Sequence, residues 1–135
     1  VSDQAGEVEF FGLPLEGMSR LGKPNPLLEG KAKTYRVCVV TLDEYVQARR
    51  LTPDWLRIDV EGYEYQVLCG ARRVIADRRP QLNIVVEMHS SIWADTGVSR
   101  KKMEDLLKEL GLQACPLSGQ KDPLSDYGLA HLAYL

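Results

Sequence analysis

The chain has 135 residues, 44% of them hydrophobic and 27% charged, which fits one domain with a modest core. Seventeen Lys and Arg nearly balance nineteen Asp and Glu, so no global field recruits nucleic acid or an acidic membrane surface. No apolar run approaches the ~20 residues of a membrane span, and no signal-peptide pattern is present.

The first 34 residues are rich in Gly and Pro and read as a loop-rich arm around one short strand, Glu7 to Phe11. Within it, Gly17-Met-Ser-Arg-Leu-Gly22-Lys23 fits seven positions of a phosphate-binding loop. The eighth needs a Ser or Thr hydroxyl and is Pro24, and Pro26 prevents a helix from starting there, so a nucleotide loop is rejected. Tyr35 to Val40 reads as a strand. Thr41-Leu-Asp-Glu44 is a capping box that opens a helix through about Arg49. The three cysteines, Cys38, Cys69 and Cys115, are widely spaced and odd in number. They give no CxxC metal signature and read as reduced, small core residues of a cytoplasmic protein.

Positions 55 to 80, WLRIDVEGYEYQVLCGARRVIADRRP, carry most of the information. Leu56, Ile58 and Val60 alternate as one face of a strand, whereas Tyr63, Val67, Gly70, Ala71 and Val74 recur at helical spacing. The pattern predicts a strand over 55–60, a turn at Glu61-Gly62 and one helix ending near Asp77. Pro80 stops that helix, and Leu82 to Met88 forms a second, almost uninterrupted apolar strand. Two strands joined by one helix imply a parallel crossover. Central parallel strands are covered on both faces, so Arg57 and Asp59 are expected to be charges in a largely buried setting. Ser99 caps a helix whose stripe is Met103, Leu106, Leu107 and Leu110, and Gly111 closes it. Leu112 to Pro116 and Gly128 to Leu135 read as short final strands, with His131 a packed or edge residue in the second. Arg72, Arg73, Arg78 and Arg79 form a basic patch that lacks the interleaved aromatics of a nucleic-acid surface.

The crossover brings Asp59 and Glu61, after one strand, beside Glu87 and His89, at the same end of the next. Open α/β sheets hold ligands in the crevice beyond such strand ends. Three readings compete. The charges can serve the fold, with Asp59 pairing Arg57 and Glu61 complementing a helix N-terminus. Asp59 or His89 can accept the proton of an attacking hydroxyl. Carboxylates with one His also suit a divalent ion such as magnesium or manganese, although no HxxE or HxH spacing supports it. Trp93 either walls the pocket or covers the core.

The block IDVEGYEYQVLCGARRVI, preceded by VVTLDEYV and followed by a proline and a strand ending in VVEMH, resembles the C-terminal half of the FkbM family of S-adenosylmethionine-dependent methyltransferases. The likeness runs from about Val1 to His89. It implies an α/β, Rossmann-like class I methyltransferase sheet, of which only the later strands are expected here: parallel strands plus a C-terminal antiparallel hairpin. It further implies methyl transfer to a hydroxyl of a sugar or polyketide-like small molecule. On this reading Asp59 and His89 are catalytic, Asp59, Glu61 and Gly62 touch the cofactor, and Arg57, Glu87 and Trp93 touch the substrate. The family's glycine-rich first turn and second-strand acid are missing, and the chain begins with Val. The expectation is therefore residues 1–135 as a single methyltransferase-like domain lacking its N-terminal donor-binding strands. Such a domain binds S-adenosylmethionine poorly alone and self-associates through an uncovered sheet edge. The opposing expectation is a truncated, non-catalytic module that serves as a binding or assembly partner.

Overall fold

The computed structural model describes residues 1–12, 19–21 and 32–135. Two sheets are present among them. The first is antiparallel, with β1 (Gly6–Gly12) between β2 (Arg20–Leu21) and β3 (Lys33–Val39). β1 and β3 are thus close to the expected strands, although they pair with each other and not with the main sheet. Of the phosphate-loop-like heptad, Gly17, Met18, Gly22 and Lys23 lie outside the described residues. Arg20 and Leu21 pair with Phe11 and Phe10 as a strand.

The second sheet runs β4 (Trp55–Ile58), β5 (Asn83–Met88), β7 (Gly128–Tyr134), β6 (Leu112–Pro116). β4 and β5 are parallel, as the crossover requires, and β7 and β6 are the expected antiparallel hairpin. β4 is thus one edge of this sheet, among the described residues.

Among the described residues, helices cover one face of this sheet. α2 (Glu64–Cys69), α3 (Arg72–Asp77) and α4 (Arg100–Glu109) bring Val67, Leu68, Val74, Ile75, Met103, Leu106 and Leu107 onto Ile58, Ile84, Val86, Met88, Ala130 and Leu132 in one core cluster. Burying that apolar surface is the main stabilising term of the fold. The alternate residues of the same strands face the other way and are only partly covered. This corrects the expectation for Arg57 and Asp59: their side chains are 70% and 39% exposed. A parallel pair is fully buried only when both faces carry helices, and among the described residues one face of this pair does.

The predicted helix over 63–77 is two helices, broken at Gly70 and Ala71. The break is set from a distance. A side chain at Gly70 would lie 2.1 Å from the Ser2 carbonyl oxygen, and the Gly70 carbonyl accepts from Asp43 N–H at 2.9 Å. The Asp43 carboxylate then accepts from the N–H groups of Arg73 (3.0 Å) and Val74 (2.9 Å), so it caps the second helix. Asp43 itself sits in α1 (Leu42–Arg49), which the Thr41 capping box opens as expected.

The cysteines also depart from expectation. Cys38 is exposed and Cys115 is half-buried, whereas Cys69 is half-buried and packs against the core cluster, so none is fully inside the core. Cys38 and Cys115 lie in strands at their sheets' outer edges. The four arginines each find a partner in the fold: Arg72 with Glu109, Arg73 with Gln47, Arg78 with Asp54, and Arg79 with the Leu135 carbonyl. No helix among the described residues is long and apolar enough to cross a membrane.

Candidate functional site

Beyond Ile58 the chain continues through Asp59 and Val60 and then reverses. Glu61 and Gly62 both take positive φ, 47° and 94°, a conformation that glycine adopts without steric cost. A Cβ at Gly62 would also stand 2.7 Å from Ile92 Cγ2, so glycine is required there twice over. The turn is closed from inside by Glu64, whose carboxylate accepts from the Gly62 N–H at 3.0 Å.

Glu64 is the residue that organises the site. It is fully buried, and its Oε1 also meets His89 Nδ1 at 2.7 Å while its Oε2 accepts from Trp93 Nε1 at 2.7 Å. A buried carboxylate is costly unless its lone pairs are used, and here three N–H groups use them. With Nδ1 donating to Glu64, the uncharged imidazole carries its lone pair on Nε2. That nitrogen points to Glu61, whose Oε1 is 3.8 Å away. The Tyr127 ring stands nearly perpendicular to that of His89, with the ring centroids 5.4 Å apart.

The sequence missed Glu64, although the signal was present. Glu64, Val67, Leu68 and Ala71 follow the i, i+3, i+4, i+7 spacing of one helix face, and all four are buried. A carboxylate inside a core stripe marks a built polar centre. Trp93, one of the substrate candidates, is only 2% exposed and spends its indole N–H on Glu64. It covers the core.

The remaining candidates converge at one rim. The register aligns Ile58 with Val86, and the next step places Asp59 level with Glu87. Arg57 reaches both, with Nη2 3.1 Å from Asp59 Oδ2 and 3.7 Å from Glu87 Oε2. One ligand atom each from Asp59, Glu61 and His89 lies within 4.8 Å of the others. Burial disfavours a charge on His89. The Glu64 hydrogen bond and the charges of Glu64, Glu61 and Glu87 outweigh it, so its pKa is raised above the ordinary value.

Glu61 stands between two openings. One, of about 180 Å³, is lined by Arg20, Tyr63 and Asp95 as well as Glu61. The other, of about 320 Å³, is lined by Phe10, Ser19 and Leu21 together with Asp59 and Glu61. The first sheet therefore supplies one wall of these openings, and the segment just beyond β4, with Asp59 and Glu61, supplies another.

Neither curated proteins nor solved structures yield a match to this chain. The family model described as the methyltransferase FkbM domain matches residues 3–113, an interval that contains β1 to β5, the Glu61-Gly62 turn, the whole polar cluster and α4. With that span covering most of the sequence, the chain belongs to the FkbM methyltransferase domain family.

Proposed function

We propose that this chain transfers a methyl group from S-adenosylmethionine to a hydroxyl oxygen of a sugar or polyketide-like small molecule, with the acceptor held over the cluster at the ends of β4 and β5. The observation that carries the reading is the convergence of Asp59, Glu61 and His89 beside two clefts, with His89 fixed by a buried carboxylate. Oxygen methylation forms a C–O bond as the C–S bond of the sulfonium breaks, and it releases one proton from the hydroxyl. The protein's share of this chemistry is alignment and a base.

Asp59 is the proton acceptor in this proposal, because it is the most exposed member of the cluster and faces the larger cleft. His89 lies behind it, held by Glu64 and surrounded by carboxylates. Glu61 and Gly62 form the turn against which the donor rests, while Arg57 and Glu87 flank the acceptor. The order β4-β5-β7-β6, two parallel strands followed by an antiparallel hairpin, supports a Rossmann-like sheet in its later strands.

A second reading, a non-catalytic module, draws on two observations. The sequence contains no Gly-x-Gly pair, and β4 forms a sheet edge beside the cluster among the described residues. Isothermal titration of the chain with S-adenosylmethionine separates the two. Micromolar binding, followed by release of S-adenosylhomocysteine with a panel of hydroxylated sugars and macrocycles, supports the enzyme. Absence of binding at millimolar donor supports the module.

A further inference from the structure

His89 is 1% exposed, its Nδ1 is taken by Glu64, and its Nε2 makes no hydrogen bond among the described residues. The ring is otherwise enclosed, so a ligand for this nitrogen comes from the side of Glu61, whose Oε1 lies 3.8 Å away. The nitrogen is aimed at two carboxylates. Asp59, Glu61 and His89 present three ligand atoms within 4.8 Å of one another, and neither carboxylate is locked by burial, their side chains being 39% and 21% exposed. Oxygen and nitrogen ligands bound at about 2.1 Å lie roughly 3 to 4 Å apart around a divalent ion. Small side-chain rotations of Asp59 and Glu61 close the set to that spacing.

Charge points the same way. Asp59, Glu61, Glu64 and Glu87 gather around His89, and Arg57 answers only Asp59 and Glu87, from the exposed side. Among the described residues neither Glu61 nor Glu64 is ion-paired with a Lys or Arg, His89 being the basic group each meets. A carboxylate behind a histidine fixes its tautomer and raises the basicity of the other ring nitrogen, which is how metal-bound histidines are commonly held. One imidazole with two carboxylates, no thiolate, and open positions toward a cleft suits a hard divalent ion of mixed nitrogen and oxygen preference.

We propose that His89 Nε2, Glu61 and Asp59 form a divalent-cation site, with Mn²⁺ the representative ion, beside the cleft and with Glu64 as its positioning residue. The site coincides with the one proposed for methyl transfer, but binding of the ion does not require that reaction. A bound ion in that place would hold a hydroxyl oxygen of the acceptor and ease loss of its proton.

The test is titration of the metal-free chain with MnCl₂, read by the paramagnetic resonance signal of free Mn²⁺ and by calorimetry. One equivalent is expected to bind and MgCl₂ to compete for it. His89→Gln and Glu61→Gln should each weaken binding by at least about 10-fold, the lower end of the loss seen when even an outer partner of a metal site is removed. Asp59→Asn, at an exposed position that tolerates substitution, keeps the test open where a buried variant misfolds, and it should weaken binding as well. No stoichiometric binding, or equal affinity in the parent and Asp59→Asn, would overturn the site, the cluster's charge then being met by a proton on His89. Mn²⁺ bound without methyl transfer sinks only the enzymatic reading, and methyl transfer without Mn²⁺ binding sinks only the cation site.

Discussion

Glu64 Oε1 and His89 Nδ1, from residues 25 apart in sequence, meet at 2.7 Å inside the protein and tie the first turn of α2 to the end of β5. Because Gly62 N–H and Trp93 Nε1–H fall on the same carboxylate, every acceptor position in use faces a donor. Glu64→Gln replaces one oxygen by an amide nitrogen that must face one of those donors. At least one buried N–H then loses its partner, and the expected cost is about 1–3 kcal/mol. Denaturant unfolding at neutral pH measures it. A change below about 0.5 kcal/mol, the usual range for surface substitutions, would deny Glu64 its organising role.

His89 gives the chain a pH dependence whose sign follows from its surroundings. The groups that face it are Glu64 on α2, Asp59 and Glu61 beyond β4, Glu87 on β5 and the ring of Tyr127. Burial opposes the imidazolium, but the carboxylates prevail and the folded-state pKa lies above the ~6.5 of an unfolded chain. A group raised on folding stabilises the native state below its unfolded pKa. That contribution is lost as pH rises through the folded value. For metal-free protein, the unfolding free energy should therefore fall above about pH 6.5, and this slope should vanish in His89→Gln. Proton resonances of the chain's two histidines provide the direct check, and His89 titrating at or below the ordinary value would contradict the geometry.

What the sequence made legible was local. Thr41 and Glu44 form the reciprocal cap that their spacing predicts, at 3.0 and 3.3 Å, Ser99 caps α4, and Gly111 closes it with a φ of 65°. The parallel pair and the convergence at its rim were also readable, since one helix between two strands fixes their direction. The features that escaped depend on residues far along the chain. Nothing near Gly70 announces that Ser2 lies against it, and nothing near Arg57 says that the helices gather on the opposite face. Glu64 was hidden differently: Tyr63, one position before it, fits the same stripe with Val67, Gly70 and Ala71 and is the more apolar choice.

The cap that Asp43 provides is such a long-range feature, and it can be measured. Its two oxygens accept from Arg73 and Val74, about 30 residues away, at the first turn of α3. Asp43→Ala removes both acceptors and should cost about 0.5–2 kcal/mol, the range for loss of a helix cap. Asp43→Asn keeps one oxygen and should recover part of that loss. Equal stability in all three proteins would mean that water replaces the cap and that the two helices are held by packing alone.

Gly62 connects the fold to the site. Its φ of 94° disfavours any side chain, and a Cβ would press on Ile92 at 2.7 Å. Gly62→Ala should therefore destabilise by about 1–3 kcal/mol through backbone strain and overpacking. Because Glu61 sits in the same turn, the variant should also lose Mn²⁺ affinity even where enough folded protein remains to assay. Retained affinity in a destabilised variant would separate the turn's structural role from its role in placing Glu61.

Asp59 is the converse case, a residue whose replacement should spare the fold. Its carboxylate is 39% exposed and its hydrogen bond is to Arg57, itself 70% exposed, an ion pair of the kind that contributes about 0–1 kcal/mol. Asp59→Asn keeps the shape and one acceptor oxygen, so unfolding should change by no more than about 1 kcal/mol. Chemistry should respond differently. An amide cannot take a proton from the acceptor hydroxyl, and loss of general-base help lowers rates by about 10² or more. The measurement is S-adenosylhomocysteine release under saturating donor and acceptor, compared with the unfolding curve of the same preparation. A rate within twofold of the parent, in a protein of parent stability, would leave Asp59 a partner of Arg57 at the rim of the sheet and move the base elsewhere in the cluster.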